Sequence, residues 1–109
     1  MSTNIQEILK LYRQQLENVL DNQIKKIILF GSYARGDFKI NSDIDVMILV
    51  DTSTLEMPKC ENKIYDLTYD FNCEHDIEIM PVVQDMNHFN YWKESYMFYR
   101  NVDKEGVTI

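Results

Sequence analysis

Residues 28–50 read ILFGSYARGDFKINSDIDVMILV, and this stretch decides the fold. Its first residues close an apolar run, KKIILF at 25–30, that stops at Gly31 and predicts a buried strand. SYARG then makes a short helical turn, and GDFKINS is loop. Residues 43–50, DIDVMILV, predict a second strand. Gly31 lets a backbone come close to a ligand. The N–H groups at a helix start bind anions such as phosphate, and Ser32 adds a hydroxyl donor. A Gly-Ser pair alone is an ordinary strand-to-helix turn. Asp43 and Asp45 stand at i and i+2, so on a strand they point to one side. Two such carboxylates repel unless a cation lies between them, and Mg²⁺ takes oxygen ligands of this kind together with substrate phosphates. A lone D-x-D is an ordinary solvated strand end. Here VMILV follows at once, so the strand enters the core with its acids at the mouth.

Outward from this stretch the elements alternate. Residues 3–20 predict an amphipathic helix, with Ile5, Ile8, Leu9, Tyr12, Leu16, Val19 and Leu20 at three- and four-residue spacing. Thr3 with Gln6 fits a capping box at its start. Pro58 suits a helix's first turn. Cys60, Ile64, Leu67 and Phe71 then share one face of a helix over 58–72. Residues 75–83, HDIEIMPVV, alternate polar and apolar and predict a third strand, which Pro81 confines to an edge or a short length. On it Asp76 and Glu78 share a face opposite Ile77 and Ile79. Each alone reads equally well as a solvent-facing strand position. Residues 85–100 predict an aromatic-rich helix with Phe89, Trp92, Tyr96 and Tyr99 as core and interface. The tail NVDKEGVTI reads as a turn and a loose end. The order α-β-α-β-α-β-α predicts an α/β (α+β) fold: a small mixed β-sheet with helices packed against it.

Composition bounds the function. At 109 residues the chain predicts a single domain over 1–109, and 45% hydrophobic content excludes disorder. No apolar run is long enough for a membrane span, and the polar, amphipathic N-terminus is not a signal peptide. The formal charge is −7, which argues against a nucleic-acid duplex as partner. The acid is concentrated: residues 43–85 hold eleven acidic and two basic groups. Cys60 and Cys73 would lie about 20 Å apart on one helix at 1.5 Å per residue. That distance excludes a disulfide and points to a reducing, cytoplasmic setting. His75 and His88 have no metal-ligand spacing with the cysteines and read as non-catalytic. Tyr33 reads as a packing residue and Lys39 as a solvated loop charge.

Gly-Ser, ten residues, then D-x-D, with an acidic strand further on, resembles the nucleotidyltransferase superfamily with the DNA polymerase β catalytic fold. The wording GSYARG and SDIDVMILV is similar to the minimal nucleotidyltransferases, the MNT group. The resemblance covers roughly residues 1–100. It implies that Gly31 and Ser32 hold the β- and γ-phosphates of a nucleotide. Asp43 and Asp45 would hold metal ions. A third carboxylate would complete a two-metal Mg²⁺ site and serve as general base. Glu78 is the best-placed match and Asp76 the competitor. Glu where the family usually has Asp is a departure from the pattern. Arg35, one turn after Ser32, could reach the triphosphate, or instead pair with Asp37 or the acidic middle.

The resemblance further implies transfer of AMP from ATP. The acceptor surface must come from elsewhere, either a second copy or a partner protein. Proteins of this look are commonly paired with a HEPN-domain ribonuclease as toxin and antitoxin, and a tyrosine of the HEPN partner is then the acceptor. An acidic surface would suit an RNA-binding, hence basic, partner. Two alternatives remain at this level. One is a binding module that neutralises its partner by contact. The other is a small-molecule nucleotidyltransferase acting on an aminoglycoside-like acceptor.

Overall fold

The computed structural model describes residues 3–39 and 41–109. Helix α1 (Thr3–Leu20) leads through a 3₁₀ turn into strand β1 (Ile24–Phe30). The one-turn helix α2 (Ser32–Arg35) and a loop connect it to β2 (Ile44–Val50). Helix α3 (Met57–His75), strand β3 (Ile79–Asp85), helices α4 (Met86–Trp92) and α5 (Met97–Glu105) and strand β4 (Val107–Thr108) complete the chain. The cap expected of Thr3 falls on a side chain outside the described residues.

The sheet runs β3-β2-β1-β4. β2 pairs antiparallel with β1 and parallel with β3, and β4 adds antiparallel to β1. The sheet is therefore mixed, as the sequence predicts. Pro81 sits on the edge strand β3, where its missing N–H costs no ladder bond on the open side.

Both faces of the sheet are covered. On one, Ile27, Leu29, Val46, Ile48 and Val50 pack with Leu9, Tyr12 and Leu16 of α1 and with Ile64 and Phe71 of α3. On the other, Ile28, Met47 and Leu49 pack with Phe89 of α4 and with Tyr99 and Val102 of α5. A strand sandwiched between two helical layers reads as an unbroken apolar run. That is why VMILV shows no alternation, and all five residues are buried. The α1–α3 layer holds a buried polar pair. Thr68 donates to the Ile64 carbonyl at 2.7 Å, so the Tyr12 hydroxyl is the donor in the 2.7 Å contact with Thr68.

Several boundaries differ from the sequence reading, and β2 itself starts at Ile44, so Asp43 precedes the strand. The second long helix begins at Met57, keeps Pro58 in its first turn, and runs on to His75. It ends because Asp76 turns left-handed, φ 54 and ψ 50, with its N–H donated to the Asn72 carbonyl. The third strand consequently starts at Ile79, and Asp76, Ile77 and Glu78 lie in the connection rather than in the strand. The Asn72 side chain fixes that start. Its Nδ2 donates to the Ile79 carbonyl at 3.0 Å, and its Oδ1 accepts from the Ile79 N–H at 2.9 Å.

The single helix expected over 85–100 is two helices. Asp85 caps α4 by accepting from the His88 N–H. The chain then breaks between Trp92 and Met97, with Trp92 and Tyr96 stacked at 5.1 Å. The tail is ordered rather than loose: residues 101–105 belong to α5 and 107–108 form β4. The Gly106 turn between them is tight, since a Cβ there would meet Ile28 Cγ2 and the Val102 carbonyl, both at 2.3 Å. Cys60 is buried, Cys73 is exposed, and both are free thiols, as expected. Among the described residues no helix is long and apolar enough to cross a membrane.

Candidate active site

Gly31 leaves β1 with φ 74 and ψ −151, a region essentially restricted to glycine. α2 follows at once, held by Arg35 N–H to Gly31 O at 3.1 Å and Gly36 N–H to Ser32 O at 2.9 Å. The first-turn amides of such a turn have no intrahelical acceptor. β1 and β2 are antiparallel with Phe30 opposite Asp45, so the Gly-Ser turn and the D-x-D segment meet at one end of the sheet. The register makes that approach tight. A Cβ on Gly31 would stand 2.5 Å from Asp45 Oδ2.

Gly31, Ser32, Arg35 and Asp45 line a concavity of about 390 Å³. Its other wall is Phe30 together with Phe98, Asn101, Val102 and Glu105 of α5. The structure thus brings together four of the residues singled out in the sequence. Asp43, Asp76 and Glu78 line a second concavity of about 390 Å³ with Ile5, Tyr33, Asn41, Ser42, Ile44 and Ile77. Glu78 is tied to the mouth of β2 through its carbonyl, which accepts from the Ile44 N–H at 2.8 Å. The D-x-D pair therefore stands between two hollows, Asp45 in one and Asp43 in the other.

The electrostatics follow from this placement. The Asp45 carboxyl is pushed up from its ordinary value, first by burial and next by the charge of Asp43. The Arg35 guanidinium opposes the rise. Arg35 itself pairs with Asp37 at 3.2 Å and with Glu105 at 3.7 Å. The Asp37 partnership foreseen in the sequence is present, and Arg35 also borders the Gly-Ser concavity.

The chemistry of this pair fits a divalent cation. The charge of Asp43 raises the cost of ionising Asp45, and a cation between them would reverse the sign. Mg²⁺ commonly uses one or two protein carboxylates and completes its shell with phosphate oxygens and water. Among the described residues no group of three or more His, Cys, Asp or Glu is arranged to hold a metal ion. The expected trio of Asp43, Asp45 and Glu78 is therefore not gathered into one cluster.

Tyr33 is buried and stacks on Phe38 at 4.3 Å, in keeping with packing. His88 bonds Gln84 and Tyr99 through its ring, and His75 lies against Phe71. Neither borders the concavities. The residues that sequence reading missed are those of α5. Phe98, Asn101, Val102 and Glu105 follow i, i+3, i+4, i+7, the signature of one helix face. That face runs on to Glu105, beyond the aromatic spacing that stops at Tyr99.

A mixed sheet with a phosphate-type turn set against Asp45 of the D-x-D segment is a nucleotidyltransferase fold. The chain belongs to the nucleotidyltransferase domain family, whose pattern matches residues 9–103. Two similar proteins come from Methanocaldococcus jannaschii, and each bears the name "putative protein adenylyltransferase". One is 35% identical over 97% of this chain and 98% of its own. The other is 40% identical over 71% of this chain and 76% of its own. In architecture the chain is similar to a chain of the crystal structure of a toxin-antitoxin with AMP-PNP. The TM-score is 0.54 at 20% identity, covering 90% of this chain and 69% of that one. The nucleotidyltransferase family and the fold expected from residues 28–50 are both correct.

Proposed function

We propose that this chain transfers AMP from ATP, with Mg²⁺, to a hydroxyl group of a partner protein. The observation that carries this reading is the contact of Asp45 with Gly31 in the wall of the concavity that Ser32 and Arg35 also line. A phosphate chain fits beside a turn with no side chain at its entry, and the Asp45 carboxylate there, with Asp43 two residues before it, suits a cation bridging to it. Gly31 and Ser32 would bind the β- and γ-phosphates, with Arg35 beside them. Asp43 and Asp45 would hold Mg²⁺, which when bound neutralises charge on the triphosphate and the leaving pyrophosphate.

In the transfer, the acceptor oxygen forms a bond to the α-phosphorus. The bond from that phosphorus to the α,β-bridging oxygen breaks, and pyrophosphate leaves. The acceptor proton passes to a carboxylate, for which Glu78 is the first assignment and Asp76 the second. Both border the hollow on the Asp43 side. That hollow is then the side from which an acceptor arrives.

The toxin-antitoxin neighbour and the names of the relatives support a protein acceptor. The reading extends to an antitoxin role in the cytoplasm, with a HEPN ribonuclease as partner and one of its tyrosines as acceptor. The concentration of acid in residues 43–85 would complement a basic, RNA-binding surface. A second reading, neutralisation by contact alone, is favoured by one observation: the third carboxylate is not clustered with the other two.

The two are separated by mixing the chain with its co-encoded partner, ATP and Mg²⁺. The partner is expected to gain one or more AMP units by mass. Asp43→Ala with Asp45→Ala should abolish the gain while circular dichroism stays unchanged. Survival of neutralisation in that variant would establish the contact reading instead.

A further inference from the structure

The wall of the Gly-Ser concavity formed by α5 has no role in the reading above. Its residues are the aromatic Phe98, the amide Asn101, the buried Val102 and the acid Glu105. Val102 and Tyr99 are packed under the sheet with Ile28, Met47 and Leu49, which fixes the rotation of the helix. The far end is fixed as well, because Gly106 fits against Ile28 without space for a Cβ. β4 pairs with β1, and the Ile109 N–H donates to the Ile27 carbonyl at 3.0 Å. α5 is therefore a held wall rather than a loose terminal helix.

Two side chains on that wall are available to a ligand. Phe98 meets Phe30 edge-on, with centroids 5.6 Å apart and planes at 77°, and it keeps 46% of its surface exposed. Asn101 is exposed, and its amide makes no hydrogen bond among the described residues. At the other end of the helix Glu105 pairs with Arg35. Seven residues separate Phe98 from Glu105, about 10 Å of helix at 1.5 Å per residue. One end of the concavity is thus aromatic and amide-bearing, and the other holds the guanidinium.

We propose that Phe98 and Asn101 form the base-reading wall of the nucleotide site, with Phe98 stacking on the purine and Asn101 selecting adenine over guanine. The proposal rests on the reading that the Gly31–Ser32 turn takes the phosphates. Stacking on an aromatic ring is indifferent to base identity, because every base has a π-face. Selection must come from hydrogen bonding. An amide offers one acceptor and one donor side by side. If the base turns its N7 edge to Asn101, adenine answers with the N6 donor and N7 acceptor, whereas guanine presents two acceptors there, O6 and N7, and leaves the amide oxygen opposed.

The test is calorimetric binding of ATP, GTP and inorganic tripolyphosphate to the full chain in Mg²⁺. The native chain is expected to bind ATP about tenfold or more tighter than GTP. Phe98→Ala should weaken ATP and GTP alike by about tenfold, the range expected for a lost base–aromatic stack, and leave tripolyphosphate unchanged. Phe98→Trp should retain ATP binding. Asn101→Leu should erase the preference for ATP over GTP and again spare tripolyphosphate. If tripolyphosphate binds and Phe98→Ala leaves ATP unchanged, the base wall is refuted while the phosphate site stands. An ATP preference that persists in Asn101→Leu overturns the role of Asn101. If the native chain binds none of the three, the phosphate reading fails and takes this inference with it.

Discussion

Oδ2 of Asp45 occupies the space that a Cβ on Gly31 would fill, 2.5 Å from its ideal position. Two residues fourteen apart in sequence are brought together because β1 and β2 run antiparallel with Phe30 opposite Asp45. The closeness ties the phosphate-type turn to the carboxylate, so neither can change without the other.

Gly31→Ala should therefore act twice. It strains a backbone at φ 74, which costs about 1–3 kcal/mol, and it pushes the Asp45 carboxylate aside. A displacement of about 1 Å can cost about a hundredfold in rate, so AMP transfer should fall by at least about that factor. Gly36→Ala is the matched control. Gly36 also has positive φ, at 83°, yet a Cβ there meets nothing within 4 Å. It should lower the melting temperature, though less than Gly31→Ala, and spare transfer. Equal losses of transfer in the two variants would mean that strain alone, not Asp45, is responsible.

Asp45→Asn should stabilise the chain at neutral pH in the absence of divalent metal. Burial and Asp43 raise the folded-state pKa of Asp45 above its value of 3.8 in a free chain. The folded state thus holds this proton more tightly than the unfolded state. The contribution is fully present below about pH 3.8 and is lost as pH rises through the folded pKa. Asn mimics the protonated form, so its advantage should appear above that window and vanish below it. Denaturant titrations at pH 3 and pH 7 measure the difference. Adding Mg²⁺ should raise the melting temperature of the native chain and not that of Asp45→Asn.

Asp76 is the residue that turns α3 into the connection, with φ 54. Asp76→Gly should relieve the left-handed strain and stabilise by up to about 1 kcal/mol, a rise of about 4–8 °C for a domain of this size. Transfer should be unaffected, while Glu78→Gln should abolish it. The assignment of Glu78 over Asp76 is wrong if loss of transfer follows the Asp76 change alone.

The Tyr12–Thr68 pair should show an asymmetry. Tyr12→Phe removes a donor but leaves Thr68 bonded to the Ile64 carbonyl, a loss of about 1 kcal/mol. Thr68→Val strands the Tyr12 hydroxyl in the core and should cost about 1–3 kcal/mol, the larger effect. Burial pushes the Tyr12 hydroxyl up to about 12 from 10.0. Its contribution to stability is intact below pH 10 and is lost as pH rises toward 12, because the unfolded tyrosine ionises first. Alkaline denaturation should be shallower in Tyr12→Phe.

Local pattern was legible where it depended on neighbours in the chain. The buried strand VMILV, the Gly-Ser turn, the edge position of Pro81 and the amphipathic α1 all follow from residue type and spacing. Element ends were less so. The end of α3 was misplaced because a left-handed aspartate and the Asn72 clamp decide it, and neither alters the apolar period. The break between α4 and α5 was hidden by aromatic residues that continue at helical spacing across it.

The sequence by itself therefore determined the family and its candidate groups: Gly31, Ser32, Asp43 and Asp45 carry the pattern in order along one chain segment. Tertiary structure decided which of them meet. Strand register placed Asp45 with Gly31 and left Asp43 on the side of Glu78 and Asp76. Packing of Val102 and Gly106 against Ile28 made a nominal tail into a wall of the site. Register and packing depend on which surfaces bury one another across the whole chain, and no local window of residues contains that information.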